Sequence, residues 1–138
     1  MAVTLLTREQ CLDRLRRRSI GRVAVTAQAL PAIVPVNYVL HGSNIVFRTE
    51  PAGMLARGCD GAVVAFEIDA IDRDGSGGWS VLVVGFAELL DGSPALRAVE
   101  TGLVSAAGDN RDQFVAISIG TISGREIVRD TRQAPAAG

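Results

Sequence analysis

Phe47-Arg48-Thr49 is the segment of this sequence best equipped for chemistry. It closes a β-branched run, Ile45-Val46-Phe47-Arg48, and leads into Thr49-Glu50-Pro51-Ala52-Gly53-Met54-Leu55-Ala56-Arg57, which reads as a short helix ending near Gly58. Thr49 or Glu50 caps that helix and Pro51 sits in its first turn, where a missing N–H does no harm. A helix N-terminus offers unpaired N–H groups and partial positive charge. Arg48 adds a full charge with a forked donor, and Thr49 adds a hydroxyl. A phosphate monoester suits this combination. Glu50 opposes it, because its charge falls close to where a dianion would sit. The alternative is structural: Thr49 is only a cap and Arg48 only an exposed strand end.

Other chemistries are excluded by what is absent. All 14 cations are Arg, so Schiff-base chemistry and a lysine phosphate anchor are impossible. His41 is the single histidine and lies in a His-Gly-Ser-Asn turn, so it reads as a surface residue, and no multi-histidine metal site can form. Cys11 and Cys59 lack metal-ligand spacing and read as buried thiols. Gly75-Ser76-Gly77-Gly78-Trp79-Ser80 precedes a strand, which is the wrong context for a dinucleotide fingerprint. Glu67, Asp69, Asp72 and Asp74 do not follow a calcium-loop pattern and read as solvated acids.

The elements that must position these residues are short. The chain has 138 residues, which suits one domain over residues 1–130 with residues 131–138 as a frayed tail. Its 48% apolar and 21% charged composition is that of an ordinary globule, and its net charge of −1 gives no reason to expect nucleic acid. No apolar run suits a bilayer crossing, and the N-terminus lacks a secretory pattern, so a cytoplasmic location is expected. Thr7 and Gln10 form a capping-box pattern ahead of a helix over residues 8–18. Its Arg14, Arg16, Arg17 and Arg18 read as a solvated helix end or as a contact for an anion or partner. Strands are expected over residues 21–26, 33–40, 45–48, 62–69, 79–88, 113–119 and 125–128, with a further helix from Ser93-Pro94 to about Val104. Pro35 implies that its strand is an edge there or carries a bulge. Gly85 implies a bulge or a close approach. Val64, Phe66 and Ile68 fall on one face of their strand, with Ala65, Glu67 and Asp69 on the other. Hairpin-linked strands with few helices point to a mainly β fold, a small antiparallel barrel of about six strands. The apolar run Val81 to Val84 suggests a strand covered on both faces, which a second copy of so small a chain would provide.

Several segments together resemble the pyridoxamine 5′-phosphate oxidase-like family, in its small actinobacterial type with a flavin-binding split barrel. They are Val34-Pro35-Val36-Asn37-Tyr38, Ile45 to Leu55, Val64 to Asp69, and Gly78-Trp79-Ser80-Val81-Leu82-Val83-Val84-Gly85-Phe86-Ala87. Ile122-Ser123-Gly124-Arg125-Glu126 resembles the family's closing Thr-Gly-Arg-Arg pattern. The resemblance spans about residues 8–129. It implies a homodimer of split barrels with flavin mononucleotide (FMN) at the subunit interface. Arg48 and Thr49 would then hold the phosphate, and the strand around Pro35, Val36 and Asn37 would line the isoalloxazine ring with backbone groups. Trp79 and Ser80 would lie near the site, and Gly124 and Arg125 would close it from the partner chain. Met54 stands at the family's lysine position near the phosphate, and Glu126 replaces the second arginine of the closing pattern.

Three functions follow from these residues. The first is an FMN-dependent oxidoreductase acting on a small molecule. The second keeps the enzyme class and takes the deazaflavin F420, using arginines such as Arg14, Arg16, Arg17 and Arg18. The third is a dimeric barrel that has lost its cofactor and acts as a binding module.

Overall fold

The computed structural model describes residues 2–91 and 113–129. The helix expected from Ser93 to Val104 and the tail over residues 131–138 lie outside these.

The described chain forms β1 (Ala2–Leu5), α1 (Arg8–Arg17), β2 (Ile20–Ala27), β3 (Leu30–His41), β4 (Asn44–Thr49), α2 (Met54–Cys59), β5 (Ala62–Ile71), β6 (Gly78–Leu90), β7 (Gln113–Ser118) and β8 (Thr121–Val128). All strands join one antiparallel sheet in the order β1-β8-β6-β5-β2-β3-β4-β7, and a further β6–β7 pairing closes six of them into a barrel. β8 and β1 extend the sheet beyond the closure. The fold is the mainly β split barrel that the sequence implies.

α1 starts where its side chains dictate. The Gln10 N–H donates to Thr7 Oγ1 (3.2 Å), and the Thr7 N–H donates to Gln10 Oε1 (2.8 Å), satisfying two of the helix's orphan donors. Its buried face, Cys11 and Leu15, packs into the barrel interior. There it meets Val23, Tyr38, Phe47, Phe66 and Ile117. Each fully buried Phe or Ile stabilises the fold by roughly 1.5–3 kcal/mol. The alternation expected along β5 holds, with Val64, Phe66 and Ile68 buried.

β6, with 13 residues, organises the closure. One side pairs with β5 from Gly78 to Ala87. The other side pairs with β8 up to Val84 and with β7 from Ala87 onward. At the switch, Gly85 and Phe86 face Ser118, Ile119 and Gly120, so the segment joining β7 to β8 carries one extra residue, a bulge. The Gly120 N–H donates to the Val84 carbonyl. A Cβ on Gly85 would collide with the Ser118 carbonyl oxygen. The close approach expected at Gly85 is therefore the closure point itself.

Two local expectations, on α2 and on His41, are corrected. α2 begins at Met54 with Gly53 as its cap, which makes no side-chain hydrogen bond, and Gly58 lies inside the helix. Thr49 and Glu50 therefore cap nothing. Glu50 to Gly53 forms a turn, closed by the Gly53 N–H donating to the Glu50 carbonyl (3.2 Å), with Ala52 at φ +57°. In Val81 to Val84, Val81 and Val83 are fully buried while Leu82 is 43% exposed, which leaves the outer face of this run to the second copy expected to cover it. His41 is half-buried at the end of β3.

Candidate functional site

The site residues named from sequence fall into two groups, one at the end of the β3–β4 pair and one at the start of β6. The first surrounds the open edge of β3. The β3–β4 ladder ends at Tyr38–Phe47, whereas β3 stays paired to β2 from Leu30 to Asn37. The Tyr38 N–H donates to the Ser19 carbonyl, toward the β2 side. Backbone groups alternate sides along a strand. Val36, Val34 and Ala32 therefore also bond toward β2, while Asn37, Pro35, Ile33 and Pro31 turn their backbones away from it. Both prolines thus occupy positions with no ladder partner, where the missing N–H costs nothing. Pro35 is an edge residue, one of the two outcomes its identity implied. Ile33 turns its amide along the same edge with no ladder partner among the described residues, and Asn37 meets the end of the β3–β4 ladder, where its carbonyl faces the Arg48 N–H. Val36 points its side chain into the interior, so of the three residues named on β3, Pro35 and Asn37 face the open side.

Arg48 and Thr49 are the next residues of β4 beyond the ladder, and Asn37 is the next of β3. This brings Arg48, Thr49, Asn37 and Pro35 to one end of the β3–β4 pair. Thr49 shares the inner face with Ile45 and Phe47, and Arg48 shares the outer face with Val46. On their other flank they pair with Phe114 and Gln113 of β7. Met54, five residues further on, is 38% exposed. A helix N-terminus does not complete this site, since α2 has only six residues and starts well beyond Thr49.

The second group lies where β6 begins. Ser80 pairs with Asp69 on one side and Arg125 on the other, and Trp79 with Ala70 and Glu126. Trp79 turns toward α1. The Arg14 guanidinium stands 4.7 Å from its ring centroid and that of Arg18 stands 5.1 Å away, both within cation–π range. Arg14 also pairs with Glu126 at 3.1 Å. Glu126 therefore acts in this chain as a tie between β8 and α1. Arg17 pairs with Asp13. A cavity of about 460 Å³ opens beside Trp79, lined by Arg14, Ser76, Gly77, Glu126 and Arg129 among others. Gly124 has a packing role: a Cβ there would press on Cys11 Sγ at 2.7 Å.

Two routes around the barrel connect the groups. Through β7, Arg48 pairs with Phe114, which pairs with Leu90 at the end of β6, whereas Arg125 pairs with Ser80 near its start. Through β2 and β5, Pro35 pairs with Arg22, which pairs with Glu67 opposite Leu82. The difference between the routes is the stagger of a closed barrel. Pro35 also shares a cavity with Arg18, which stands on Trp79, so the groups approach each other on that side.

A third cluster did not stand out in the sequence. Arg22 Nη1 lies 3.0 Å from Glu67 Oε1 and 3.1 Å from Asp69 Oδ2. Burial, followed by the hydrogen bond and negative charge of Asp69, pushes the Glu67 carboxyl above its ordinary range, and Arg22 opposes the shift. The signal was available: two acids two residues apart share the non-core face of β5, and Arg22 holds the matching face of β2. Reading those acids as solvated was incomplete. Among the described residues no three metal-ligating side chains come together, and no helix is long and apolar enough to cross a membrane.

Comparison with known proteins gives concordant results. The model of the pyridoxamine 5′-phosphate oxidase family matches residues 7–126. An uncharacterised Mycobacterium tuberculosis protein, Rv0080, is 31% identical over 135 residues, covering 94% of this chain and 89% of its own. A conserved protein of unknown function from Corynebacterium diphtheriae has a similar structure, with 31% identity and a TM-score of 0.77, over 91% of this chain and 98% of that one. The FAD binding protein from Mycobacterium smegmatis is 27% identical with a TM-score of 0.71, over 91% and 99% of the two chains.

Proposed function

This chain belongs to the pyridoxamine 5′-phosphate oxidase family, and from that premise we propose that it is a flavin-dependent oxidoreductase, acting as a homodimer on a small-molecule substrate, with FMN as its cofactor. The observation that carries the reading is the open edge of β3. A flat ring system with donors and acceptors on its rim would be matched by a strand edge that, among the described residues, leaves the Ile33 amide and the Asn37 N–H without a ladder partner and is otherwise proline. Arg48 and Thr49, at the end of that edge, would take the phosphate. A bound flavin would supply the two-electron carrier, and the protein would supply binding and orientation. The Arg14–Trp79–Arg18 stack would hold α1 rigidly against β6, so that Ser80 and Arg125 present a fixed surface. Hydride transfer needs only positioning of this kind, so no general base is required.

The dimer is part of the proposal. Arg48 and Thr49 lie at the end of β4, and Ser80 and Arg125 near the start of β6; the family resemblance implies that Arg125 comes from the partner chain. The outer face of the sheet supports it: Ile33 (70% exposed), Val63 (70%) and Phe86 (46%) present apolar surface to solvent in a single chain.

FAD is the second reading, favoured by the similarity to the Mycobacterium smegmatis FAD binding protein. Its pyrophosphate lessens the demand for a lysine at position 54, where this chain has Met54. F420 is less well supported, because Arg14, Arg17 and Arg18 already contact Glu126, Asp13 and Trp79. The test is the visible spectrum of freshly purified protein, with chromatography of acid-released cofactor to separate FMN from FAD. A flavin spectrum is expected. Loss of the charge-assisted contact in Arg48→Ala should weaken flavin binding about 10–100-fold. Colourless protein with no quenching of Trp79 fluorescence by added FMN, FAD or F420 would leave the barrel without a cofactor function.

A further inference from the structure

The Arg22–Glu67–Asp69 cluster sits within the same outer face that the dimer would cover. Its side chains project beside a groove of about 300 Å³ that crosses four strands and is lined by Arg22, Ala24, Ile33, Ala65, Glu67, Asp69 and Leu82. Exposed Ile33 and Leu82 border it directly. The cluster holds two carboxylates and one guanidinium, so it carries one surplus negative charge when both acids are ionised. Enclosing an unbalanced charge in an apolar contact is costly, and a buried carboxylate takes up a proton instead. Among the described residues, the groups facing the acids supply no second counter-charge at contact distance. On β2 the neighbour is Arg22. On β6, Glu67 is opposite Leu82 and Asp69 is opposite Ser80. Arg18, which lines an adjoining cavity with Arg22, Pro35 and Asp69, is drawn onto Trp79. Arg125 stands one strand further away, beyond Ser80.

We propose that self-association of this chain is proton-linked: the Glu67–Asp69 pair of each protomer shares one proton in the dimer, so that the dimer tightens as pH falls. The inference rests on the dimer of the preceding reading. The already raised affinity of Glu67 for its proton agrees in direction, since further burial raises it more. With one acid pair per protomer, up to two protons are taken up per dimer. The association constant therefore changes by at most about two decades per pH unit within the titration window.

The experiment is sedimentation equilibrium of the full chain at pH values from 5 to 8, with Glu67→Gln beside it. Gln keeps the shape and one acceptor while removing the charge, and thermal melts of the variant report that it folds. The dissociation constant of the native chain is expected to rise steadily with pH, and that of Glu67→Gln to stay low and flat. A slope retained by the variant would overturn the proposal. A dimer whose constant is the same at every pH would overturn the linkage and leave the dimer standing. A monomer throughout would remove both.

Discussion

The Tyr38 hydroxyl donates to the Leu15 carbonyl at 2.7 Å inside the barrel, and its ring meets Phe66 edge-on at 4.9 Å between centroids. One bond satisfies both the phenol and an orphan carbonyl at the end of α1. Burial pushes the Tyr38 phenol above its ordinary range, with Arg18 opposing the shift. Burial also pushes the Cys59 thiol up to about 11 from 9.0, and raises Cys11 against the opposing charge of Arg14. The thiolate is the reactive form. Ellman's reagent at pH 8 is therefore expected to find no fast-reacting thiol in the native protein and two after denaturation. A rapid native reaction would contradict the burial. Neutral Cys59 also favours the folded state while pH stays below the unfolded-state value of 9.0, and that contribution fades between pH 9 and about 11. The melting temperature should fall over this window, and less so in Cys59→Ala. At this scale the sequence was legible where a residue had one use, as with the buried thiols and the Thr7–Gln10 box. It misled where a residue had two. Pro51 suits the first turn of a helix and equally the second position of a turn, and in the fold it takes the turn, which moves α2 away from Arg48.

Elements were legible where their alternation was strong and obscure where turn chemistry was weak. The β2–β3 hairpin closes through Gln28 and Ala29, at φ +54° and +64°. A two-residue hairpin of this kind favours Asn-Gly or Gly-Gly, so nothing in Thr26 to Leu30 announces it. The left-handed region costs a non-glycine residue roughly 1–2 kcal/mol. Ala29→Gly is expected to relieve part of this, offset by greater freedom of the unfolded chain, and to raise the midpoint of urea denaturation by the equivalent of about 0.5–1 kcal/mol. A lower midpoint would mean that the turn is built otherwise. β1, whose four residues are all exposed, lacks a buried face that sequence could reveal. It exists because β8 offers an edge, with Ala2 opposite Val128 and Leu5 opposite Arg125. Gly85 was readable as a special position, but its role in closing β6 onto β7 depends on Ser118, thirty-three residues away.

The whole molecule is a closed barrel that carries two sets of polar groups. Barrel closure was implied by the strand pattern and the family resemblance. What no linear reading supplies is the register around the closed barrel: Arg48 with Thr49, and Ser80 with Arg125, are each recognisable, yet only the sheet order shows that Arg48 reaches β6 through β7 at Leu90 while Pro35 reaches it through β2 and β5 at Leu82. In the proposed function the flavin is shared, with Arg48 from one protomer and Arg125 from the other. The most direct test is complementation in mixed dimers. Arg48→Ala and Arg125→Ala chains are prepared separately, then unfolded and refolded together in equal amounts, and flavin binding is titrated against each parent refolded alone. In a mixed dimer, one site inherits both substitutions and the other inherits neither. Random pairing makes half the molecules mixed, so tight sites should reappear at about one per four chains, with native affinity. A titration that only averages the two weakened parents would contradict the shared site.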